Sequence, residues 1–221
     1  MTRSALVLGA SGGIGRAVLS VLQAEGWAVT GLSRSDGLDW RAPAQAEAAL
    51  TRQTGPFDLV FDATGALEID GAGPEKQLAA IDADAMAAQF QVNAVGPALV
   101  LKHTKTLLPR KGRAVIATLS ARVGSIADNR LGGWISYRAS KAALNQIVKT
   151  ASVELARTHP EAVIVALHPG TVETSFGARF RGGRATISPE SSAQQLLGVL
   201  ETLQPAQSGG FFAYDGESVH W

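Results

Sequence analysis

The sequence predicts an α/β protein with a doubly wound, mainly parallel sheet and helices on both faces. Short apolar segments alternate with longer segments of helical periodicity, which is the pattern of parallel strands joined by crossover helices. A glycine-rich turn joins the first apolar segment to the first helical one. The 221 residues contain no linker-like, low-complexity or repeated stretch, so we expect one domain over residues 1–221.

The individual elements follow in chain order. Strands are predicted at six short apolar segments bounded by turn residues: 4–9, 28–33, 57–65, 113–120, 162–170 and 209–216. Helices are predicted where apolar residues recur at helical spacing: 15–26, 43–53, 84–108 and 134–158. A last helix is expected after Ser188, because serine can cap a helix and Pro189 suits the first turn.

The composition limits the partners and the chemistry that we expect. Lys and Arg total 20 and Asp and Glu 19, and this balance gives no reason to expect a nucleic acid or a membrane as partner. There is no cysteine, and the scattered histidines match no zinc spacing, so no metal site is predicted. The apolar run near the N-terminus is too short for a signal peptide or a membrane span, and a cytoplasmic location is expected.

The turn GASGGIG, residues 9–15, is the first candidate ligand site. Glycines let the backbone turn sharply and approach a pyrophosphate, and the following helix offers free N–H groups at the positive end of its dipole. The turn therefore predicts dinucleotide binding. The alternative interpretation is a tight strand–helix turn without a ligand.

The end of the second predicted strand indicates which dinucleotide is bound. An acidic residue there would favour NAD(H), but the sequence has Ser33 followed by Arg34. A guanidinium matches the oxygens of a 2′-phosphate, so NADP(H) is the predicted cofactor and NAD(H) the less favoured one. Asp36 keeps the alternative open, since it could be the acidic residue if the strand runs longer.

The segment SYRASKAALN, residues 136–145, is the candidate reaction centre. Tyr137 and Lys141 are one helical turn apart and therefore share a face. A neighbouring ammonium is expected to lower the pKa of a phenol, which makes it a better acid/base near neutral pH. Such a pair can also be an ordinary surface pair, so its significance depends on the other residues that meet it.

Asn93 lies four residues before Pro97 within the long predicted helix 84–108. Pro97 has no N–H for the carbonyl of residue 93, so we expect a kink and a free carbonyl that can bind water. The plain alternative is a proline kink without a function.

These motifs together resemble the short-chain dehydrogenase/reductase family. The resemblance is carried by GASGGIG, an Asn in a long helix, a Ser that ends a strand, and YRASK. Within the family, the chain is similar to C-factor and sniffer-type carbonyl reductases, which are NADPH-linked. It implies a single-domain Rossmann-type fold with a mainly parallel seven-stranded sheet, and it leaves a homodimer or homotetramer possible as the assembly.

The resemblance also implies residue roles. Tyr137 would be the general acid/base, Lys141 its cationic neighbour, Ser120 the donor to the substrate oxygen and Asn93 the holder of a relay water. The implied cofactor-binding residues are Gly9, Ser11, Gly12, Gly13, Ile14, Gly15, Ser33, Arg34, Asp39, Trp40, Ala63, Thr64, Gly65, Asn93, Tyr137, Lys141, Pro169, Gly170, Val172 and Thr174.

Two departures from the family pattern stand out. The family usually has NNAG after its fourth strand, whereas this chain has Asp62, Ala63, Thr64 and Gly65. The family serine often lies 13 residues before the tyrosine, whereas Ser120 lies 17 before Tyr137, which implies an insertion within 125–133. Ser125 is the competing serine, although the spacing of Asn93 and Ser120 favours Ser120.

The substrate side is less defined. Leu131, Trp134 and Phe176 are expected to line an apolar pocket, and His168 is expected to be a packed or backbone-bonded histidine rather than a catalyst. In the loop 175–187, Arg179, Arg181 and Arg184 would meet the cofactor phosphates, an acidic substrate or solvent.

The prediction is an NADP(H)-dependent oxidoreductase that transfers hydride between nicotinamide and a small carbonyl or alcohol substrate. One alternative is a non-catalytic NADP(H)-binding sensor or signalling protein. A second is a nucleotide-sugar epimerase or dehydratase, for which the chain looks short.

Overall fold

The structure is a computed structural model that describes residues 2–180, 182–183 and 185–221. Its strands form one parallel sheet in the order β2-β1-β3-β4-β5-β6. The strands are β1 Ser4–Leu8, β2 Ala28–Leu32, β3 Leu59–Asp62, β4 Ala114–Leu119, β5 Ala162–His168 and β6 Phe211–Ala213. All six segments predicted as strands are strands, each shorter than predicted at one or both ends.

The predicted count of seven strands is wrong for the described residues, which form six. No strand follows β2 before the next helix, and β2 is therefore the edge of the sheet. The connection from Leu32 to Pro43 is ten residues long, whereas a crossover to another parallel strand needs a dozen or more. Residues 34–36 form a short 3₁₀ turn there instead, and Leu38 and Trp40 fold back into the core.

Both faces of the sheet are buried, which explains the nearly continuous apolar runs of its central strands. Alternate residues of β1, β3, β4 and β5 enter two separate cores. One core contains Leu6, Val60, Ile116 and Ile164. The other core contains their neighbours in the chain Val7, Phe61, Ala117 and Val163. The alternation fixes the register of the sheet, and with it the place where each strand ends.

Helices cover the two faces. They are α1 Gly13–Ala24, α2 Pro43–Thr51, α3 Ala83–Phe90, α4 Gly96–Lys102, α5 Thr104–Leu107, α6 Ile135–Leu155 and α7 Pro189–Thr202. The predicted start of α7 is confirmed, because the Ser188 hydroxyl accepts a hydrogen bond from Ser191 N at 3.0 Å and Pro189 is the first helical residue. Among the described residues, no helix combines the length and the apolar character needed to cross a membrane.

The single helix predicted at 84–108 is broken into three. A π-helical segment, Gln91–Val95, separates α3 from α4, and a break at His103 separates α4 from α5. The missing N–H of Pro97 deprives the carbonyl of residue 93 of its usual partner, so a widened turn just before the proline has a direct cause. The kink expected at Pro97 thus takes the form of a local widening of the helix.

Candidate active site

A cleft of about 1010 Å³ lies at the carboxyl ends of the strands, where ligands bind in open α/β sheets. It extends from the glycine turn to Tyr137, and Leu131, Trp134 and Phe176 also line it. The predicted site residues that line the cleft are Gly9, Ser11, Gly12, Gly13, Ile14, Gly15, Ser33, Arg34, Asp39, Trp40, Ala63, Thr64, Gly65, Ser120, Tyr137, Lys141, Pro169, Gly170, Val172 and Thr174.

The glycine turn has the geometry of an anion site. Gly9 adopts a positive φ of 78°, and a Cβ on Gly15 would overlap the Gly9 carbonyl, so the turn is closed around its own backbone. Helix α1 starts beside it with Gly12 as N-cap, no side chain caps it, and its first turn carries no acidic residue. The first N–H groups of α1 and its positive dipole end therefore fit a pyrophosphate.

Ser33 and Arg34 lie at the predicted place, directly after β2. The alternative, in which Asp36 is the acidic partner of the ribose, requires a longer second strand. Strand β2 ends at Leu32, however, and the Asp36 carboxylate caps the 3₁₀ turn that follows. It accepts hydrogen bonds from Ser33 N at 2.9 Å and from Ser33 Oγ at 2.7 Å, and these bonds lower the pKa of Asp36. Arg34 is the first residue of this turn and lines the cleft.

The Trp40 side of the cleft contains an internal hydrogen-bonded chain. Trp40 Nε1 donates to Thr64 Oγ1 at 3.0 Å, and Thr64 Oγ1 donates to Asp62 Oδ1 at 2.6 Å. The Thr64 hydroxyl is therefore already used within the protein. Asp39 is likewise engaged, by a guanidinium that the sequence interpretation overlooked: Arg41 Nη2 donates to Asp39 Oδ2 at 2.6 Å.

Tyr137 and Lys141 lie on the buried face of α6, as their spacing predicted. The side chain of Tyr137 is 4% exposed, and Lys141 Nζ lies 5.9 Å from the centroid of its ring. Lys141 Nζ donates to the Leu119 carbonyl at 2.9 Å. The expectation of a lowered tyrosine pKa is not met in the free protein, because burial raises the pKa of Tyr137.

The two candidate serines occupy different surroundings. Ser120 lines the cleft, and its hydroxyl donates to Asn145 Oδ1 at 2.6 Å. Ser125 does not line the cleft, and its Oγ accepts from Asp128 N at 3.1 Å. These placements favour Ser120. Asn145 was missed in the sequence, although it follows Lys141 by one further helical turn on the same face.

Asn93 is buried and does not line the cleft. Its side chain holds the loop after β3: Nδ2 donates to the Ala66 carbonyl at 2.8 Å, and Oδ1 accepts from Ala66 N at 3.0 Å. Gln89, also missed, accepts a third bond from Asn93 at 2.7 Å. The Asn93 side chain is therefore used within the protein, and both the cofactor-binding role of Asn93 and the water-binding role of its carbonyl stay predictions.

Aromatic rings form the wall of the cleft opposite the glycine turn. Trp134 packs edge-on against Tyr137 and Phe180, with centroids 6.3 and 6.0 Å apart, and Phe176 lies 6.4 Å from Tyr137. Phe180 was missed in the sequence. The predicted apolar pocket is thus lined by more aromatic surface than expected.

The arginine-rich loop contributes one defined contact. Arg179 forms an ion pair with Glu68, which joins the loop to the segment after β3. Arg181 and Arg184 lie outside the described residues.

His168 is neutral near pH 7, because burial lowers its pKa to about 4. Its Nδ1 accepts a hydrogen bond from Arg122 N at 3.3 Å, so the prediction of a backbone-bonded histidine is confirmed.

The start of α6 is held by Glu75, another residue that the sequence did not reveal. Trp134, just before the helix, has a left-handed backbone with φ 54° and ψ 41°, and its N–H donates to the Glu75 carbonyl at 2.5 Å. The Glu75 carboxylate accepts from Ser136 N at 3.1 Å and from the Ser136 hydroxyl. Glu75 therefore caps the helix that carries Tyr137 and holds the strained residue before it.

The fold agrees with what comparison with known proteins finds. A family model described as short chain dehydrogenase matches residues 3–184, and the chain belongs to this family of oxidoreductases. The C-signal protein of Myxococcus xanthus is 39% identical over 172 residues, which cover 76% of this chain and 95% of that protein. The chain is thus a short-chain dehydrogenase similar to the C-factor and carbonyl reductase types.

Two solved structures are similar over the whole chain. A short-chain dehydrogenase/reductase from Burkholderia multivorans with bound NADP has a TM-score of 0.82 and 29% identity, with complete coverage of both chains. An NADPH-bound carbonyl reductase from chicken fatty liver has a TM-score of 0.84 and 25% identity, and the match covers 100% of this chain and 94% of that one.

Proposed function

We propose that this protein is an NADP(H)-dependent reductase that converts a ketone or aldehyde to an alcohol, with Tyr137 as the general acid. One observation carries the proposal: the buried phenol of Tyr137 lines the same cleft as the glycine turn, beside the ammonium of Lys141. The cationic Arg34 and the NADP(H) bound to two similar structures support this cofactor.

Different residues of the cleft would bind different parts of the cofactor. The turn 9–15 and the start of α1 would hold the pyrophosphate, Ser33 and Arg34 the 2′-phosphate, and Lys141 the nicotinamide ribose. When bound, the cofactor supplies the hydride. The protein supplies orientation, exclusion of water and the proton.

The proton states of the free protein favour reduction. Because burial raises the pKa of Tyr137, the phenol is protonated at neutral pH and can donate to a carbonyl oxygen. Lys141 is mostly charged at neutral pH, since its pKa is about 8, and its ammonium stabilises the phenolate that remains. Ser120 can hold the carbonyl oxygen once its hydroxyl turns from Asn145, which is a rotation about one bond.

The test is Tyr137→Phe, which removes only the hydroxyl. NADPH binding, measured by the fluorescence of the bound cofactor, is expected to stay close to wild type. Turnover of a panel of ketones and aldehydes, followed by NADPH absorbance, is expected to fall by roughly 10² to 10⁴. Turnover equal to wild type would remove Tyr137 from the mechanism. Tyr214→Phe is the matched control, because Tyr214 is not among the residues that line the cleft.

A second candidate function is a non-catalytic NADP(H)-dependent signalling protein. The observation that favours it is the 39% identity to a protein named C-signal. Tight NADPH binding without turnover of any carbonyl in the panel would support it. The Tyr137, Lys141 and Ser120 set around one cleft favours the reductase, since a sensor needs only the cofactor cradle.

A further inference from the structure

Asp62 is a fully buried carboxylate at the end of β3, where the family pattern has an amide. Three donors reach it. Thr64 donates to Oδ1 from its N at 2.9 Å and from its Oγ1 at 2.6 Å, and Thr118 Oγ1 donates to Oδ2 at 3.1 Å. Three donors suit an ionised carboxylate, which can only accept. Burial raises the pKa of Asp62, and the bonds from Thr64, the charge of Lys141 and the bond from Thr118 act against this shift. A buried anion therefore needs a cation nearby to offset its lost hydration.

Lys141 brings that cation to the same end of the sheet. Thr118 is the register partner of Asp62, and Leu119, the next residue of β4, accepts the hydrogen bond from Lys141 Nζ. Gly65, three residues after Asp62, also lies close to the ammonium, because a Cβ there would be 3.3 Å from Lys141 Nζ. The end of β4 and the loop after β3 therefore both approach the ammonium.

The charges around Lys141 are few. Among the described residues, the titratable groups that face its ammonium are Asp62 from β3 and Tyr137 from its own helix. Strand β4 contributes the Leu119 carbonyl, and the π-helical segment contributes the amide of Asn93 near Gly65. Burial lowers the pKa of Lys141 to about 8, and the charge of Asp62 acts against that shift.

We propose that Asp62 is a positioning residue that acts through Lys141, as the buried counter-ion that keeps the ammonium charged and held beside Tyr137. Its meaning for catalysis rests on the proposed reductase function. The hydrogen bonds from Thr64 and Thr118 fix the carboxylate, and the bond from Trp40 to Thr64 connects this network to the wall of the cofactor cleft.

The decisive experiment measures the pKa of Lys141 directly by NMR on protein labelled at lysine ¹³Cε. The chain has six lysines, and the signal of Lys141 is the one that Lys141→Met removes. Wild-type Lys141 is expected to titrate below the ordinary value of a lysine, near pH 8. In Asp62→Asn, which keeps the shape of the side chain, its pKa is expected to fall by about one pH unit or more.

Asp58→Asn is the matched control. It makes the same substitution just before β3, where Asp58 binds Ser4 N at the opposite end of the strand. The Lys141 titration is expected to be unchanged there. A Lys141 pKa that stays constant or rises in Asp62→Asn overturns the proposal.

A reciprocal measurement covers the case in which Asp62→Asn does not fold. With aspartate ¹³Cγ labels, Lys141→Met is expected to raise the pKa of Asp62, because the carboxylate loses its cation. An unchanged Asp62 titration in that variant also overturns the proposal.

Kinetics separate this inference from the proposed function. If wild type reduces carbonyls, the alkaline limb of its kcat/KM profile is expected to move to lower pH in Asp62→Asn together with the Lys141 pKa. A limb that stays in place while the lysine resonance moves overturns the positioning role. If no carbonyl is reduced by wild type but both NMR shifts occur, the ion pair stands and the reductase function fails.

Discussion

At the residue scale, the site depends on three buried side chains of α6 that follow one another by one helical turn: Tyr137, Lys141 and Asn145. Tyr137 and Lys141 are brought together because α6 turns one face towards the sheet, and Asn145 extends that face to Ser120. Burial then decides the proton states: it raises the pKa of Tyr137 and lowers that of Lys141. Spacing alone could not give this result, because desolvation depends on everything packed around the pair.

We expect a single residue, Arg34, to contribute most to the preference for NADPH over NADH. Arg34→Ala is expected to raise the KM for NADPH roughly tenfold, because one charge-assisted hydrogen bond to a 2′-phosphate is lost. The KM for NADH, which lacks that phosphate, is expected to change little. Steady-state kinetics with both cofactors measure the difference.

Arg52→Ala serves as the control for this change, since Arg52 lies at the end of α2 and does not line the cleft. Equal effects of Arg34→Ala on both cofactors would refute the phosphate role and return Asp36 and the ribose hydroxyls to consideration.

At the element scale, the active site depends on how α6 begins. The helix starts after a left-handed Trp134, a conformation that costs a residue with a side chain roughly 1–2 kcal/mol. The segment around Glu75 offsets this cost by binding both Trp134 and Ser136. Because Tyr137 is in the first turn of α6, the position of its hydroxyl depends on this distant loop.

Glu75→Ala is therefore expected to lower the free energy of unfolding by about 1–2 kcal/mol at neutral pH, in the range of a lost helix cap. Burial acts to raise the pKa of Glu75, but the hydrogen bonds from Ser136 prevail and lower it below 4.5. The Glu75 contribution is thus present above about pH 4.5 and is lost as the pH falls through the lower folded-state value.

Urea unfolding at neutral and at acidic pH measures this effect. Glu217→Ala is the comparison, because the exposed Arg122–Glu217 pair is expected to contribute well under 1 kcal/mol. A Glu75→Ala effect as small as that of Glu217→Ala would contradict the capping role.

At the scale of the whole molecule, one cleft collects residues from the ends of β1, β2, β3, β4 and β5. A ligand that fills it contacts segments that global unfolding separates, so cofactor binding is linked to the stability of the entire sheet. NADPH at a hundred times its Kd is expected to raise the free energy of unfolding by about 2.7 kcal/mol.

NADH at the same concentration is expected to stabilise the protein less, and thermal unfolding with each cofactor measures both effects. Stabilisation by NADH that equals or exceeds that by NADPH would contradict the NADP(H) preference.

Local sequence patterns are enough to predict the parallel α/β fold, the positions of the six strands, the glycine turn and the Tyr137–Lys141 pair. These features follow from local periodicity and from residue types whose geometry is fixed over a few positions. The prediction of a seventh strand was wrong, because the connection between β2 and α2 is too short for a crossover to another parallel strand. The ends of β2 and α2, and therefore the length of this connection, are seen only in the packed structure.

Which groups share a buried environment depends on the packing of distant segments. The charge of buried Asp62 acts on Lys141, the side chain of Asn93 binds the loop after β3, and the Glu75 carboxylate binds the start of α6. Glu75 and Ser136, for example, are 61 positions apart in the chain. Such contacts, and the pKa shifts that burial causes, arise when segments distant in the sequence pack together and exclude water. A local sequence pattern does not predict them.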